Sequence, residues 1–223
     1  MGKIKKILKD NLDIGVETGA NVAVDVFLDG LLGQVASGVV SAKFSYKQKQ
    51  FEKNVQLALQ ELTERMDDLE NAIPDDRYEL AKNTLFPMMF DYVLEETEAE
   101  KIKLFVNGFE NSISEDYIDL ELTRAYFDIL HSLRVSEITH FIDRFVPKES
   151  YEKLTLNIPK YSFPATKEEE QIKNKLDGYR SYLKNKLEQL GLVEFQSVDG
   201  NRYRTNTPIT EFGHNFYKFF QKQ

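Results

Sequence analysis

Three observations predict a mainly α-helical protein that closes in a small α+β module. Apolar residues recur at steps of three or four along most of the chain from Phe51 to Phe145. Period-two alternation appears only later, beginning with Leu154, Leu156 and Ile158, which suggest a short strand inside a connector from Pro147 to Pro164 that holds three of the six prolines. At 223 residues, 41% hydrophobic and 30% charged, the chain is long and apolar enough to bury a real core without crosslinks, and it contains no Cys.

Charge divides the chain into three blocks. Residues 1–50 carry 7 basic against 5 acidic residues (+2), residues 51–146 carry 9 against 22 (−13), and residues 147–223 carry 13 against 10 (+3). The expected organisation is therefore a basic and apolar N-terminal segment (1–50), an acidic helical body (51–146) and a mildly basic C-terminal module (147–223).

In the body, Phe51, Val55, Ala58, Leu62, Met66, Leu69 and Ile73 form one stripe of a long helix that Pro74 ends. Asp75 and Asp76 then fit the first turn of a helix, where the dipole favours acids. Helical patterns follow from Tyr78 to Leu94 around Pro87, through Ile102, Phe105, Val106 and Phe109, and through Leu122, Ala125, Tyr126, Ile129 and Leu133. Ser136 is the expected cap of a last helix bearing Ile138, Phe141, Ile142 and Phe145, with Glu137 in its first turn. The acidic run Glu95, Glu96, Glu98 and Glu100 is expected to be a solvated surface rather than a metal site.

The C-terminal module reads as helix, hairpin, helix. Lys167 to Leu190 carries a heptad-like stripe, open to a break at Asp177 and Gly178, and Gly191 stops it. A strand from Leu192 to Phe195, a turn at Asp199 and Gly200 and a second strand from Arg202 precede a helix opened by Thr207 and Pro208. This order is winged-helix-like. Arg180, Lys184, Arg202 and Arg204 are its candidate phosphate contacts. A net charge of +3 beside −13 gives little counterion-release driving force, so a regulatory protein is a better expected partner than nucleic acid. The plain alternative for Arg202 and Arg204 is an edge strand guarded by charge.

The least ordinary stretch is GANVAVDVFLDGLLGQVASGVVSA, from Gly19 to Ala42, whose only charges are Asp25 and Asp29. As a helix its 24 residues reach about 36 Å, enough to cross a bilayer. Asn21, Asp25, Asp29, Gly33, Ser37 and Ser41 form a polar or small stripe at steps of four, and small residues permit close helix approach. The ten Val, Leu and Phe residues contribute roughly −3 to −6 kcal/mol to insertion while two central Asp cost roughly +5 to +7, so a lone span is disfavoured. Several copies around water would let both carboxylates line a cation-favouring pore. Before it, Lys3, Lys5, Lys6 and Lys9 lie beside Ile4, Ile7, Leu8 and Leu12, a pattern suited to an anionic membrane surface. A soluble alternative is equally open: a buried helix, or a hairpin broken near Gly30 and Gly33, that makes the protein's own core or an oligomer interface. Self-association through residues 14–42 is expected either way.

Catalytic signals are poor. His131, His140 and His214 are widely spaced, none lies in HExxH, and no Gly-rich loop with a following Lys is present. No enzyme activity, metal or cofactor is expected, and His131 and His140 read as surface or boundary residues. No cleavable signal peptide precedes the first charges, which predicts a cytoplasmic protein associated with, or inserted in, the bacterial inner membrane.

The segments GLLGQVASGVVSAKF, EETEAEKIKLFVNGFENSI, YFDILHSLRVSEI, LEQLGLVEF and YRTNTPITEFGHNF together resemble bacterial proteins of the abortive-infection alpha type, associated with defence against phage. The resemblance implies a phage-defence effector or regulator and carries over no active-site residue. The combined expectation is an oligomeric membrane-active effector held inactive until triggered. Its alternative is a soluble winged-helix regulator or scaffold.

Overall fold

The computed structural model describes residues 2–12, 42–115, 119–146, 168–194 and 209–222. They group into two compact units, one ending at His131 and one spanning Ser132 to Lys222. The helical expectation holds in both. The division falls inside the stretch that charge had assigned to the acidic body, because the helix after His131 clusters with the C-terminal residues.

The first unit is built on α1 (Lys3–Leu12), α2 (Ala42–Glu64), α3 (Met66–Ala72), α4 (Tyr78–Leu80), α5 (Phe86–Glu95), α6 (Ile102–Ser114) and α7 (Leu120–Ser132). Helix α6 is buried nearly all round, through Ile102, Leu104, Phe105, Val106, Phe109 and Ile113, and therefore occupies the centre. Helices α2, α3 and α5 pack on it.

The single stripe expected from Phe51 to Ile73 is two helices, broken at Arg65 (φ −112°, ψ 16°). The cause is a buried guanidinium. Arg65 donates to Asn107 Oδ1 at 2.5 Å, Glu110 Oε2 at 3.0 Å and Glu61 Oε2 at 2.5 Å, so the bend brings a charge to three acceptors. No Pro or Gly marks that position, and the apolar spacing runs straight through it.

Around Pro87 the helix widens rather than stops. Pro87 has no N–H to give the Asn83 carbonyl, and the turn Ala81–Leu85 is π-helical, with the Phe86 N–H donating to Ala81 O five residues back. Asp75–Arg77 is a 3-10 turn after Pro74, with its two acids where expected. In α7 Leu122 is 39% exposed, so it does not belong to the buried stripe; Thr123, Phe127 and Leu130 do.

The second unit comprises α8 (Val135–Phe145), α9 (Glu168–Gln189) and α10 (Glu211–Phe220). Helix α8 starts one residue before the expected cap Ser136: Arg134 is the N-cap, and Glu137 at the third position accepts from the Arg134 N–H at 2.9 Å. Helix α9 runs unbroken through Asp177 and Gly178. It ends at Gly191, whose φ of 71° reverses the chain so that Leu192 N–H reaches Leu187 O at 2.9 Å.

Helix α10 opens later than Thr207 and Pro208 predicted. Its cap is Thr210, whose Oγ1 accepts from Gly213 N–H at 2.8 Å. Gly213 is required by contact, since a Cβ there would lie 2.1 Å from Leu192 O. Of the two expected hairpin strands, one antiparallel bridge between Val193 and Ile209 is seen among the described residues, while Asp199, Gly200 and Arg202, and the expected connector strand of Leu154, Leu156 and Ile158, lie outside them. Phe141, Phe216, Phe220, Leu183 and Leu187 form the core of this unit.

Candidate functional site

The basic N-terminal helix is seated in the first unit, and the seat is specific. Ile4, Ile7, Leu8 and Leu12 are all buried against α3 and the π-helical turn. At about 1.5–3 kcal/mol per buried aliphatic side chain, this face is a large share of what holds α1 in place. Its first amides have no helical acceptors, and Glu70 on α3 supplies them, accepting from Lys3 N–H and, at 3.0 Å, from Ile4 N–H. A carboxylate at that end also complements the helix dipole.

Ion pairs close the rim of the seat. Lys3 Nζ lies 2.6 Å from Asp75 Oδ1 and donates to Ile73 O at 2.5 Å. Lys82 Nζ lies 2.6 Å from Asp10 Oδ2, and Asn11 Nδ2 donates to Lys82 O at 3.1 Å. The hydrogen bond from Lys3 holds the Asp75 carboxyl below its usual range, the one from Lys82 does the same for Asp10, and Asp10 in turn raises Lys82. Lys5, Lys6 and Lys9 face solvent, with Lys6 Nζ 5.4 Å from the centre of the Tyr78 ring. The amphipathic pattern is thus real, and its apolar side is occupied by the chain's own body.

A second polar centre lies where α5 ends, and it corrects the expectation for the acidic run. Glu95 and Glu100 are exposed, yet Glu96 is only 3% exposed. Its Oε1 accepts from Thr97 N–H at 2.7 Å and Glu98 N–H at 2.9 Å, and its Oε2 lies 2.5 Å from the buried Nζ of Lys101. Lys101 also donates to His131 O at 2.8 Å and lies over the Phe105 ring at 5.7 Å. The His131 Nδ1 is buried, makes no hydrogen bond and sits 3.5 Å from Glu96 Oε2, while its side chain is 36% exposed. Asn54 fixes the turn by donating to Val93 O at 2.9 Å and Glu96 O at 2.7 Å.

Tyr92 joins this centre to a surface groove of about 530 Å³ beside the π-helical turn, lined also by Asn83, Thr84, Asp91, Glu95 and Arg124. Its ring stacks on Phe105 and Phe127 with centroids 6.0 and 5.5 Å away, and its hydroxyl donates to Asp128 Oδ1 at 2.5 Å. Burial and that acceptor push the phenol up to about 12, so Tyr92 is a fixed donor and not a base at neutral pH. The groove brings no nucleophile next to a base, and no cluster of three or more metal-ligating side chains occurs among the described residues.

No family model, curated protein or solved structure matches this chain.

Of the expected site residues, Asn21, Asp25, Asp29, Gly33, Ser37 and Ser41 lie outside the described residues, as do Arg202 and Arg204. Arg180 and Lys184 are one turn apart on α9, the first exposed and the second half-buried. No helix among the described residues is long and apolar enough to cross a membrane. His131 and His140 are both half-buried boundary residues on separate helices. Sequence reasoning missed Glu96, Lys101 and Glu70. Only the position of Lys101 ahead of an apolar run hinted that a charge enters the core.

Proposed function

We propose that this chain is an oligomeric membrane-active effector of bacterial anti-phage defence, kept inactive with its basic helix seated on its own body. The observation that carries the reading is the Gly19 to Ala42 sequence, with two acids in 24 residues, tethered between α1 and α2 of one compact unit. Its stripe of Asn21, Asp25, Asp29, Gly33, Ser37 and Ser41 suits close helix contact, and two carboxylates around a shared lumen would favour cations. The resemblance to abortive-infection alpha-type proteins is the ground for placing this activity in phage defence. Release of α1 would present Lys3, Lys5, Lys6 and Lys9 with Ile4, Ile7, Leu8 and Leu12 to an anionic inner-membrane surface.

A second reading is a soluble regulator or scaffold whose C-terminal unit is a winged helix binding a protein or nucleic acid. Burial of the apolar face of α1 within the first unit favours it, because the seated helix needs no bilayer. Membrane fractionation followed by native mass measurement separates the two. An oligomer recovered with inner-membrane vesicles supports the effector; a monomer confined to the soluble fraction under infection and rest alike refutes it.

A further inference from the structure

Among the described residues, the polar contacts that α1 makes outside itself all reach one stretch of chain, Glu70 to Lys82. Glu70 accepts from the Lys3 and Ile4 N–H groups, Lys3 Nζ meets Asp75 and Ile73 O, Asp10 meets Lys82 Nζ, and Asn11 donates to Lys82 O. Lys6 adds the Tyr78 ring at 5.4 Å. The apolar face of α1 rests on α3 and on the π-helical turn. Net charge matches as well: α1 carries four lysines against Asp10 (+3), and Met66 to Glu79 carries six acids against Arg77 (−5). The seat therefore selects this helix by charge, by register and by its free first amides, and not merely as an apolar segment.

The chain that joins α1 to the rest is long. Residues 13–41 lie between Leu12 and Ala42, a count of 29, and that many residues reach about 44 Å as a helix or at most about 100 Å fully extended. A folded unit the size of Met1–His131 is roughly 36 Å across. Either reach exceeds that width, so α1 can arrive at the equivalent seat of an adjoining copy with every contact kept.

We propose that α1 is exchanged between copies in the assembled protein, the α1 of one copy filling the seat on α3 and the π-helical turn of another. This exchange rests on the proposed assembly through residues 19–42. Once those residues bring copies together, each seat has more than one α1 within reach, and local concentration rather than packing sets which one fills it. An exchanged helix ties two copies together through the contacts that otherwise close within one. Lys5, Lys6 and Lys9 are exposed on the seated helix, so exchange covers the apolar face and leaves the basic face open to an anionic surface.

The test uses the wild-type chain. Equal amounts of unlabelled and heavy-isotope-labelled protein are unfolded together in urea, refolded, and treated at low concentration with a zero-length carbodiimide, which condenses a carboxylate and a touching amine to an amide. Lys82 with Asp10 and Lys3 with Asp75, each pair 2.6 Å apart, are the links expected. Peptide masses from the oligomer fraction should show about half of these links joining a light chain to a heavy one, the statistical share for contacts made between copies. Where refolding does not restore the original circular dichroism, the two forms are instead mixed folded, until native masses show light and heavy chains in the same particle. Mixed particles whose Lys82–Asp10 and Lys3–Asp75 links join only light to light and heavy to heavy overturn the exchange and leave the assembly standing. A protein that stays monomeric, with no mixed link, overturns both.

Discussion

Replacing Lys101 with Met keeps the volume of the side chain and deletes the charge that faces Glu96 inside the first unit. Glu96 is 3% exposed, with Lys101 Nζ 2.5 Å from its Oε2. In the variant the carboxylate keeps the two amides of Thr97 and Glu98 on Oε1, but Oε2 faces only His131 Nδ1 at 3.5 Å. Removing one partner of a buried pair strands the other, which costs about 3–5 kcal/mol, against about 5–15 kcal/mol for a whole domain. The double variant Glu96→Gln with Lys101→Met should recover most of that loss, because the Gln carbonyl still accepts the same two amides and no charge is left unpaired. Urea unfolding followed by circular dichroism measures both, and the midpoint of Lys101→Met should fall with the double variant returning toward wild type. A loss under about 1 kcal/mol for Lys101→Met, or a double variant worse than either single one, would show that Glu96 and Lys101 are not a buried, coupled pair.

Gly213→Ala should destabilise the second unit by about 1–3 kcal/mol in urea unfolding, since its Cβ would meet Leu192 O at 2.1 Å and backbone has to move; a neutral outcome would mean that the two segments are not in contact. Glu70→Ala removes the acceptor for Lys3 and Ile4 N–H, and faster amide exchange across α1 with helices α5 and α6 unaffected is the expected signature. His140 is held below its ordinary value by burial first and then by Arg144 and Arg180, so the unfolded chain takes up its proton at higher pH than the folded one. Stability contributed at this site is therefore complete above about pH 6.5 and declines as pH falls through 6.5 toward the folded value. His140→Gln should flatten that part of the stability profile, and a proton NMR titration of His140 should show a midpoint below 6.5; a midpoint above it would refute the assignment.

Much of the helical order could be read directly because each helix shows one apolar face to one core. Ile4, Ile7, Leu8 and Leu12, the α5 turn at Pro87, the stop at Gly191 and the helix from Glu168 to Gln189 all follow from spacing and local stereochemistry. The break at Arg65 could not be read that way, because its cause is Asn107 and Glu110, some forty residues on. Glu96 misled because in a run of acids composition points outward; its partner Lys101 is close in sequence, but what draws that lysine inward is His131 O, 30 residues further on. The cap positions moved by two and three residues, Arg134 for Ser136 and Thr210 for Thr207, since several nearby residues could have served and tertiary contacts chose among them. The seat of α1 was half legible: its apolar face was plain in the sequence, whereas the partner, Glu70 with Asp75 and Lys82, was not.

Ion flux through anionic liposomes tests the membrane-active reading most directly. Wild-type oligomer should release cations in preference to anions, Asp25→Asn with Asp29→Asn should keep the assembly while lowering that preference, and Asp25→Leu with Asp29→Leu should close the water path. Glu70→Ala, by loosening α1, should raise the wild-type flux. Folded, oligomeric protein that leaves liposomes intact in every one of these forms would contradict the effector and leave the soluble regulator in its place.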